Sequence, residues 1–180
     1  RELSSRVVER VKGLELSGYS FEAADASLEL LLREELGEPV RYFETESWRV
    51  ITERRPVSGV GPLSDEFDSL TEATVKLEVK GERIIATAEG NGPVNALDRA
   101  LRSSMENVYT ALAGLELTDY KVRILEGSSG TNAITRILIT LGDGSGEWTT
   151  VGVGTNVVDA SWGALEQGST YGVLRQGYPQ

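Results

Sequence analysis

The spacing of apolar residues predicts two short amphipathic helices at the start of the chain. The first carries its apolar residues at helical spacing, at Val7, Val8, Val11 and Leu14, and Gly18 interrupts it. Ser20 is a good N-cap for the second, whose apolar positions are Phe21, Ala24, Leu28, Leu31 and Leu32. Gly37 followed by Pro39 is a stop signal. Two short helices bury too little to fold alone, so residues 1–37 are predicted to be a helical linker that docks on another part of the protein.

From Val40 onwards the pattern changes to strand alternation followed by one helix. The first strand is predicted through Thr52, with Tyr42, Glu44, Glu46, Trp48 and Val50 on one face. Residues 54–70 have no periodicity, and we interpret them as a mobile connection in preference to a lid. Residues 75–79 and 83–88 alternate as a hairpin around a turn at residues 80–82. A helix then begins at Pro93, with apolar positions Val94, Leu97, Leu101, Met105, Val108 and Leu112.

The same order of elements then repeats. Strands are predicted over residues 119–125, 133–141 and 148–153, and a helix over residues 156–171. The segment Gly90-Asn91-Gly92-Pro93-Val94-Asn95-Ala96 matches Gly154-Thr155-Asn156-Val157-Val158-Asp159-Ala160 at an offset of 64 residues. Both helices carry small residues at every fourth position, which permits close approach to a sheet or to another helix: Ala96, Ala100 and Ser104 in one, Ala160, Ala164 and Gly168 in the other.

These patterns predict an α+β fold of two pseudo-symmetric β-β-β-α units packed together and preceded by a short helical linker. The linker is residues 1–37, and the remaining domain is residues 38–180, with repeat units at about 40–113 and 118–172. A three-stranded sheet with one helix cannot bury its face well alone, so two copies complete each other.

Composition narrows the possible functions. The 180 residues include no Cys and no His, which excludes thiolate nucleophiles, His-based triads and Cys- or His-ligated zinc. With 18 Lys and Arg against 28 Asp and Glu, the net charge of −10 argues against nucleic acid as a partner. No apolar run is long enough to span a membrane, and we expect a cytoplasmic protein. Because the chain begins with Arg1 and its only methionine is Met105, we expect it to be part of a longer protein.

Three local motifs are candidates for chemistry. Gly90-Asn91-Gly92-Pro93 joins a strand to a helix N-terminus, where free N–H groups favour an anion, a carboxylate more than a nucleotide; a purely structural turn explains it equally well. Residues 142–147 are interpreted as a hairpin turn in preference to a calcium loop. Asp119, at a strand start, either pairs locally or holds an ammonium group.

Several longer motifs resemble one enzyme family. They are Gly-Tyr-Ser-Phe-Glu-Ala-Ala-Asp-Ala-Ser at 18–27, Ala-Glu-Gly-Asn-Gly-Pro-Val-Asn-Ala-Leu-Asp at 88–98, Asp-Tyr-Lys-Val-Arg at 119–123, Gly-Thr at 130–131 and Ala-Ser-Trp at 160–162. They resemble the C-terminal regulatory domain of the 2-isopropylmalate synthase and citramalate synthase family. The first motif favours the citramalate branch.

The resemblance implies a regulatory, homodimeric domain that binds an end-product amino acid, leucine or isoleucine, as a feedback inhibitor. The family's acyltransferase reaction, between acetyl-CoA and a 2-oxo acid, takes place in an N-terminal barrel with a divalent metal held partly by a His-x-His pair. This chain has no histidine, so we expect no catalytic residue and no cofactor in it. The implied partners are a branched-chain amino acid, a second copy and the chain's own catalytic barrel, with no nucleic acid and no membrane.

A branched-chain amino acid needs an anion site, a cation site and an apolar pocket. The backbone at Gly90 and Gly92 suits the carboxylate, and Asp119 or nearby carbonyls suit the ammonium. The proposed apolar lining is Leu117, Tyr120, Ile124, Ala133 and Val157. By resemblance, Val94, Asn95 and Thr131 match effector-pocket positions of the family. Leucine and isoleucine differ by only ~1–3 kcal/mol in such a pocket, so both stay open. A structural dimerisation module without a ligand is the alternative, and a carboxylate-based hydrolase is disfavoured.

Overall fold

The computed structural model describes residues 2–56, 67–125 and 133–180. The elements, in chain order, are the helices α1 (Glu2–Leu16) and α2 (Asp25–Glu35), the strands β1 (Glu44–Pro56), β2 (Phe67–Val79) and β3 (Glu82–Gly90), helix α3 (Pro93–Met105), a 3₁₀ helix (Thr110–Gly114), the strands β4 (Glu116–Ile124), β5 (Thr135–Gly142) and β6 (Glu147–Gly154), and helix α4 (Val157–Arg175). The strands form two antiparallel three-stranded sheets, ordered β1-β2-β3 and β4-β5-β6. The predicted α+β class with two β-β-β-α units is confirmed.

The chain divides into two compact units, one of residues 43–108 and the other of residues 1–42 together with 109–180. The first unit holds one repeat, in which α3 packs on β2 and β3. Its core comprises Ala73, Val75 and Leu77 from the sheet and Leu97, Leu101 and Met105 from the helix, all fully buried. The hairpin turn at Lys80 and Gly81 has φ of +50° and +80°, the left-handed pair that matches strand twist.

In the second unit, α4 packs closely on β5 and β6. A Cβ added to Gly152 would overlap the carbonyl oxygen of Ala160, and one added to Gly168 would lie 2.7 Å from Leu141 Cδ1. Thr150 Oγ1 donates to the Ala164 carbonyl at 2.6 Å. The small residues of this helix therefore serve close helix-to-sheet packing.

Helix α2 runs along the outer edge of β6, and its side chains form hydrogen bonds with the backbone of that strand. The amide of Thr149 donates to Asp25 Oδ1 at 2.9 Å, and that of Val151 donates to Ser27 Oγ at 2.9 Å. Gln167 of α4 donates to the Val151 carbonyl at 3.1 Å and accepts from Ser27 Oγ at 2.6 Å. Side chains thereby cover an edge strand whose backbone groups would otherwise be unpaired. The first 42 residues thus dock, through α2, on the second repeat of their own chain.

The helix ends follow the predicted capping at three of four positions. Asn156 caps α4, and Gly92 with Pro93 begins α3. At the end of α2, Gly37 has φ of +82°, its amide bonds Glu34 O at 3.0 Å, and Glu38 N bonds Arg33 O at 2.9 Å. Ser20 is the exception: α2 begins later, at Asp25, after Ala24, and Leu32 of its predicted apolar face is exposed.

Other boundaries also differ from the expectation. Strand β1 begins at Glu44 and runs to Pro56, and β2 begins at Phe67, so both ends of the predicted 54–70 connection are strand; its middle lies outside the described residues. Helix α3 ends at Met105, and Leu112 lies in the 3₁₀ helix, because Asn107, Val108, Tyr109 and Thr110 all have low helix propensity. No helix in the described part of the chain has the length and apolarity to cross a membrane.

Candidate functional site

The junction between β3 and α3 is a tight turn that only glycine at position 90 permits. A Cβ on Gly90 would lie 2.5 Å from Asn95 Oδ1 and 2.6 Å from the amide nitrogen of Ala96. Asn95 Oδ1 in turn accepts a hydrogen bond from the amide of Asn91 at 3.0 Å. The Asn95 side chain thus braces the turn and fixes the direction in which the first amides of α3 point.

The N-terminus of α3 has amide donors that no side chain caps. Gly92 is the N-cap residue and offers no side-chain acceptor, and Pro93 has no N–H. The first donors are therefore the amides of Val94 and Asn95, which have no acceptor within their own helix. The backbone of Gly92 is extended, at φ 170°, and a Cβ there would meet nothing within 4 Å. Space next to these donors is open, and the helix dipole favours an anion there.

The matching helix of the second repeat, α4, has a different N-terminus. Asn156 Oδ1 accepts from the amides of Val158 at 2.9 Å and Asp159 at 3.0 Å, so the N-terminus of α4 is capped by its own chain. Of the two repeat-related helices, α3 is the one with first-turn amides left for an external acceptor.

An apolar strip lies on β4, on the face that β5 and β6 turn towards α4. Leu117, Tyr120 and Val122 stand opposite Leu141, Ile139 and Ile137, and Ile124 continues the row. We call Leu117, Tyr120, Val122 and Ile124 the β4 strip. Val122 and Ile124 are 47% and 65% exposed, and Val157, at the start of α4, is 38% exposed. These side chains leave aliphatic surface open to a ligand or partner.

The β4 strip is joined to α4 by hydroxyl groups. Tyr120 Oη lies 2.9 Å from Ser161 Oγ, and Ser161 Oγ donates to the Val157 carbonyl at 2.6 Å. Since Ser161 is a donor to the carbonyl, Tyr120 is the donor to Ser161. These two hydrogen bonds connect Tyr120 to the first turn of α4.

Asp119 is on the other face of the sheet. An irregularity in register between Leu117 and Asp119 places Asp119 opposite Thr140 and Tyr120 opposite Ile139. Its carboxylate is 2.9 Å from Lys121 Nζ and accepts from the Tyr120 amide at 3.0 Å. The hydrogen bond from Lys121 lowers the pKa of Asp119. Of the two roles considered for Asp119, local pairing is the one the structure contains.

The predicted site residues therefore fall into separate groups. Gly90, Gly92, Val94 and Asn95 meet at the β3–α3 junction in the unit of residues 43–108. Leu117, Tyr120 and Ile124 lie on the α4 side of the other sheet, Val157 begins α4, and Ala133 is half-buried just before β5. Asp119 is not on that face, and Thr131 lies outside the described residues.

The sequence-based prediction did not include Val122, which belongs to the β4 strip, or Ser161, which contacts it. Val122 is two residues from both Tyr120 and Ile124, so the two-residue period of a strand predicts that it lies on the same face. Ser161 had no local signal, because its contact with Tyr120 spans 41 residues of sequence.

The glycine-rich turn between β5 and β6 is a hairpin turn, as expected. Asp143 Oδ1 accepts from the amides of Ser145 at 2.9 Å and Gly146 at 3.0 Å, and hydrogen bonds from Ser145 lower its pKa. Among the described residues, no group of three or more acidic side chains is arranged to hold a metal ion.

The duplicated β-β-β-α fold, the open amide donors and the partly exposed apolar strip suit a domain that binds a ligand or a partner. Comparison with protein families agrees: residues 22–173 match the LeuA allosteric (dimerisation) domain, and the chain belongs to this family.

Citramalate synthases are among the most similar relatives of this chain. The chain is 62% identical to the (R)-citramalate synthase of Streptomyces coelicolor over 98% of its length, and 43% identical to that of Aquifex aeolicus over 94%. It is 29% identical to the 2-isopropylmalate synthase of Aquifex aeolicus over 99% of its length. The predicted preference for the citramalate branch is confirmed. The chain spans about a third of each relative, covering 32%, 31% and 30% of their lengths.

Proposed function

We propose that this chain is the effector-binding regulatory part of a citramalate synthase and that its ligand is a branched-chain amino acid, with isoleucine ahead of leucine. The observation that carries the proposal is the uncapped N-terminus of α3 beside Gly92, in a chain 62% identical to an (R)-citramalate synthase. In the longer protein, the effector lowers the rate of condensation of acetyl-CoA with a 2-oxo acid. That reaction and its divalent metal are assigned to the part of the protein outside this chain.

Each unit, taken by itself, has one feature that suits part of an amino acid. The amides of Val94 and Asn95, at the positive end of the α3 dipole, suit a carboxylate. The β4 strip offers aliphatic surface of the kind that a branched side chain buries. Because Asp119 is held by Lys121 on the opposite face, the ammonium group is assigned to backbone carbonyls instead.

Regulation also needs a route from the ligand to the rest of the enzyme. Helix α4 contacts the β4 strip near its start, through Ser161, and contacts α2 further along, through Gln167 and Tyr171. Binding that favours one position of Tyr120 would shift α4 and, through it, α2. An effector acts in this way only if it binds the two positions with different affinity.

The carboxylate assignment is tested by Gly92→Asp, which adds a negative charge beside the open amides. We expect binding of isoleucine, measured by titration calorimetry, to weaken at least tenfold. Gly114→Asp is the matched control. It introduces the same negative charge, and a Cβ at position 114 also has free space around it. Unchanged isoleucine affinity in Gly92→Asp would show that the carboxylate binds elsewhere.

A structural dimerisation module is the second candidate function, and the family's description as a dimerisation domain favours it. We expect the chain to be a homodimer in either case. The two candidates separate in a thermal unfolding series with isoleucine, leucine and valine. A module without a ligand has the same melting temperature in all three, whereas an effector domain is stabilised selectively.

A further inference from the structure

Two arginines stand directly opposite each other on the face of the second sheet that points away from α4. Arg123 on β4 is paired in register with Arg136 on β5. Like charges at directly opposed positions destabilise a sheet. Neither guanidinium forms an ion pair with a carboxylate among the described residues, although the chain carries a net charge of −10. The two positive charges therefore lie close together on one face of the sheet.

Arg136 is held in place by the segment that precedes α2. Its Nε donates to the carbonyl of Gly18 at 2.6 Å, and the side chain is half-buried. Gly18 has φ of +108°, and a Cβ there would lie 2.7 Å from Leu125 Cδ1. The backbone at Gly18 therefore lies close to this end of the sheet and holds the guanidinium of Arg136.

A cavity of about 210 Å³ lies between this segment and the sheet. One wall is Ser20, Glu22 and Ala23, and the other is Lys121, Arg123, Arg136 and Leu138. Lys121 is already paired with Asp119 at 2.9 Å, which leaves the two guanidinium groups as the cations without a carboxylate partner among the described residues. Ser20 contributes a hydroxyl on the wall opposite the arginines. Glu22 is the one carboxylate in the lining.

We propose that this cavity binds a phosphate group. The cavity lining combines guanidinium groups from two strands with a hydroxyl from the facing segment. That arrangement suits a tetrahedral oxyanion better than a planar carboxylate, which a single arginine fork satisfies. Two arginines also match the double negative charge of phosphate, which removes their mutual repulsion. The cavity is on the opposite face of β4 from the β4 strip, so the site is separate from the amino-acid site proposed above.

The test compares Arg123→Gln with the wild-type chain by titration calorimetry and thermal unfolding in inorganic phosphate, at constant ionic strength. In chloride alone, Arg123→Gln should be at least as stable as wild type, because one of two opposed charges is gone. Phosphate should raise the melting temperature of wild type, and the affinity for phosphate should fall at least tenfold in Arg123→Gln. Arg49→Gln is the matched control, an exposed strand arginine on the other sheet, and should bind phosphate as wild type does.

Three results would overturn the proposal. Equal stabilisation of wild type and Arg123→Gln by phosphate would mean a general salt effect. Acetate acting as well as phosphate would mean a carboxylate site. The absence of any phosphate effect on wild type would mean that the cavity takes no oxyanion. The isoleucine response of Arg123→Gln should be intact, so the failure of this proposal is distinguishable from failure of the amino-acid site.

Discussion

Gly90 and Gly92 stand two positions apart and serve different physical purposes. Gly90 is required by crowding, since a Cβ there would enter the space of Asn95 Oδ1 and the Ala96 backbone. Gly92 is required by neither crowding nor its backbone angles. The sequence pattern predicted the turn and the helix start at these residues. It could not separate their roles, because the distinction depends on distances to atoms further along the chain.

This difference predicts opposite outcomes for the same substitution. Gly90→Ala should destabilise the fold by about 1–3 kcal/mol, the usual cost of overpacking a site whose neighbours include backbone. Gly92→Ala should change the free energy of unfolding by less than about 0.5 kcal/mol. Chemical denaturation of both variants checks this. A Gly90→Ala protein as stable as Gly92→Ala would contradict the geometry of the junction.

Helix α2 is the element whose role was least visible in the sequence. Its amphipathic pattern predicted a helix that docks on something, but not what it docks on. Asp25, Ser27 and Gln167 pair the open edge of β6, over sequence separations of 124 residues for Asp25–Thr149 and Ser27–Val151. No local pattern encodes such a contact. The predicted start of α2, with Ser20 as its N-cap, was wrong for a related reason. Ser20 is a suitable N-cap residue, but the helix begins at Asp25, where Asp25 and Ser27 bind the edge of β6.

The edge contact predicts a cost for Ser27→Ala. The variant leaves the buried amide of Val151 without its acceptor, so the free energy of unfolding should fall by about 1–3 kcal/mol. Hydrogen exchange at Val151 should also become faster. Ser103→Ala, an exposed serine within α3, is the control and should be nearly neutral. Unchanged exchange at Val151 would show that α2 does not protect this edge.

The contact between α2 and α4 predicts a pH dependence. Tyr171 donates to Glu29 Oε2 at 2.6 Å, which lowers the pKa of Glu29 and raises the pKa of Tyr171 to about 12. The Glu29 contribution is present above its ordinary pKa of 4.5 and is lost as pH falls through the lowered value. The Tyr171 contribution is present below pH 10.0 and is lost as pH rises through about 12.

Wild type should therefore exceed Tyr171→Phe in stability by about 1 kcal/mol between these limits, a modest figure because Glu29 is partly exposed. The difference should shrink at both acidic and strongly alkaline pH. Denaturant unfolding of both proteins across the pH range measures it. A difference that stays constant with pH would mean that the phenol and carboxylate do not interact.

At the scale of the whole molecule, the duplicated β-β-β-α order was predictable because each half carries its own periodicity, turns and helix starts. The repeat at an offset of 64 residues also indicated which helices correspond. The functional difference between the copies was less visible. Asn156 caps α4, whereas Gly92 leaves α3 open, and both residues fit a helix start equally well in a sequence. The sequence allowed Asp119 to bind an ammonium group. In the structure, its register places it on the other face of the sheet, where it pairs with Lys121.

Titration calorimetry of the folded chain with isoleucine, leucine and valine shows whether this domain senses a branched-chain amino acid. We expect saturable binding of isoleucine, weaker binding of leucine by about tenfold, and at least a tenfold loss of affinity for both in Gly92→Asp but not in Gly114→Asp. No heat from any of the three amino acids, with the chain folded and dimeric, would contradict it and leave a dimerisation module.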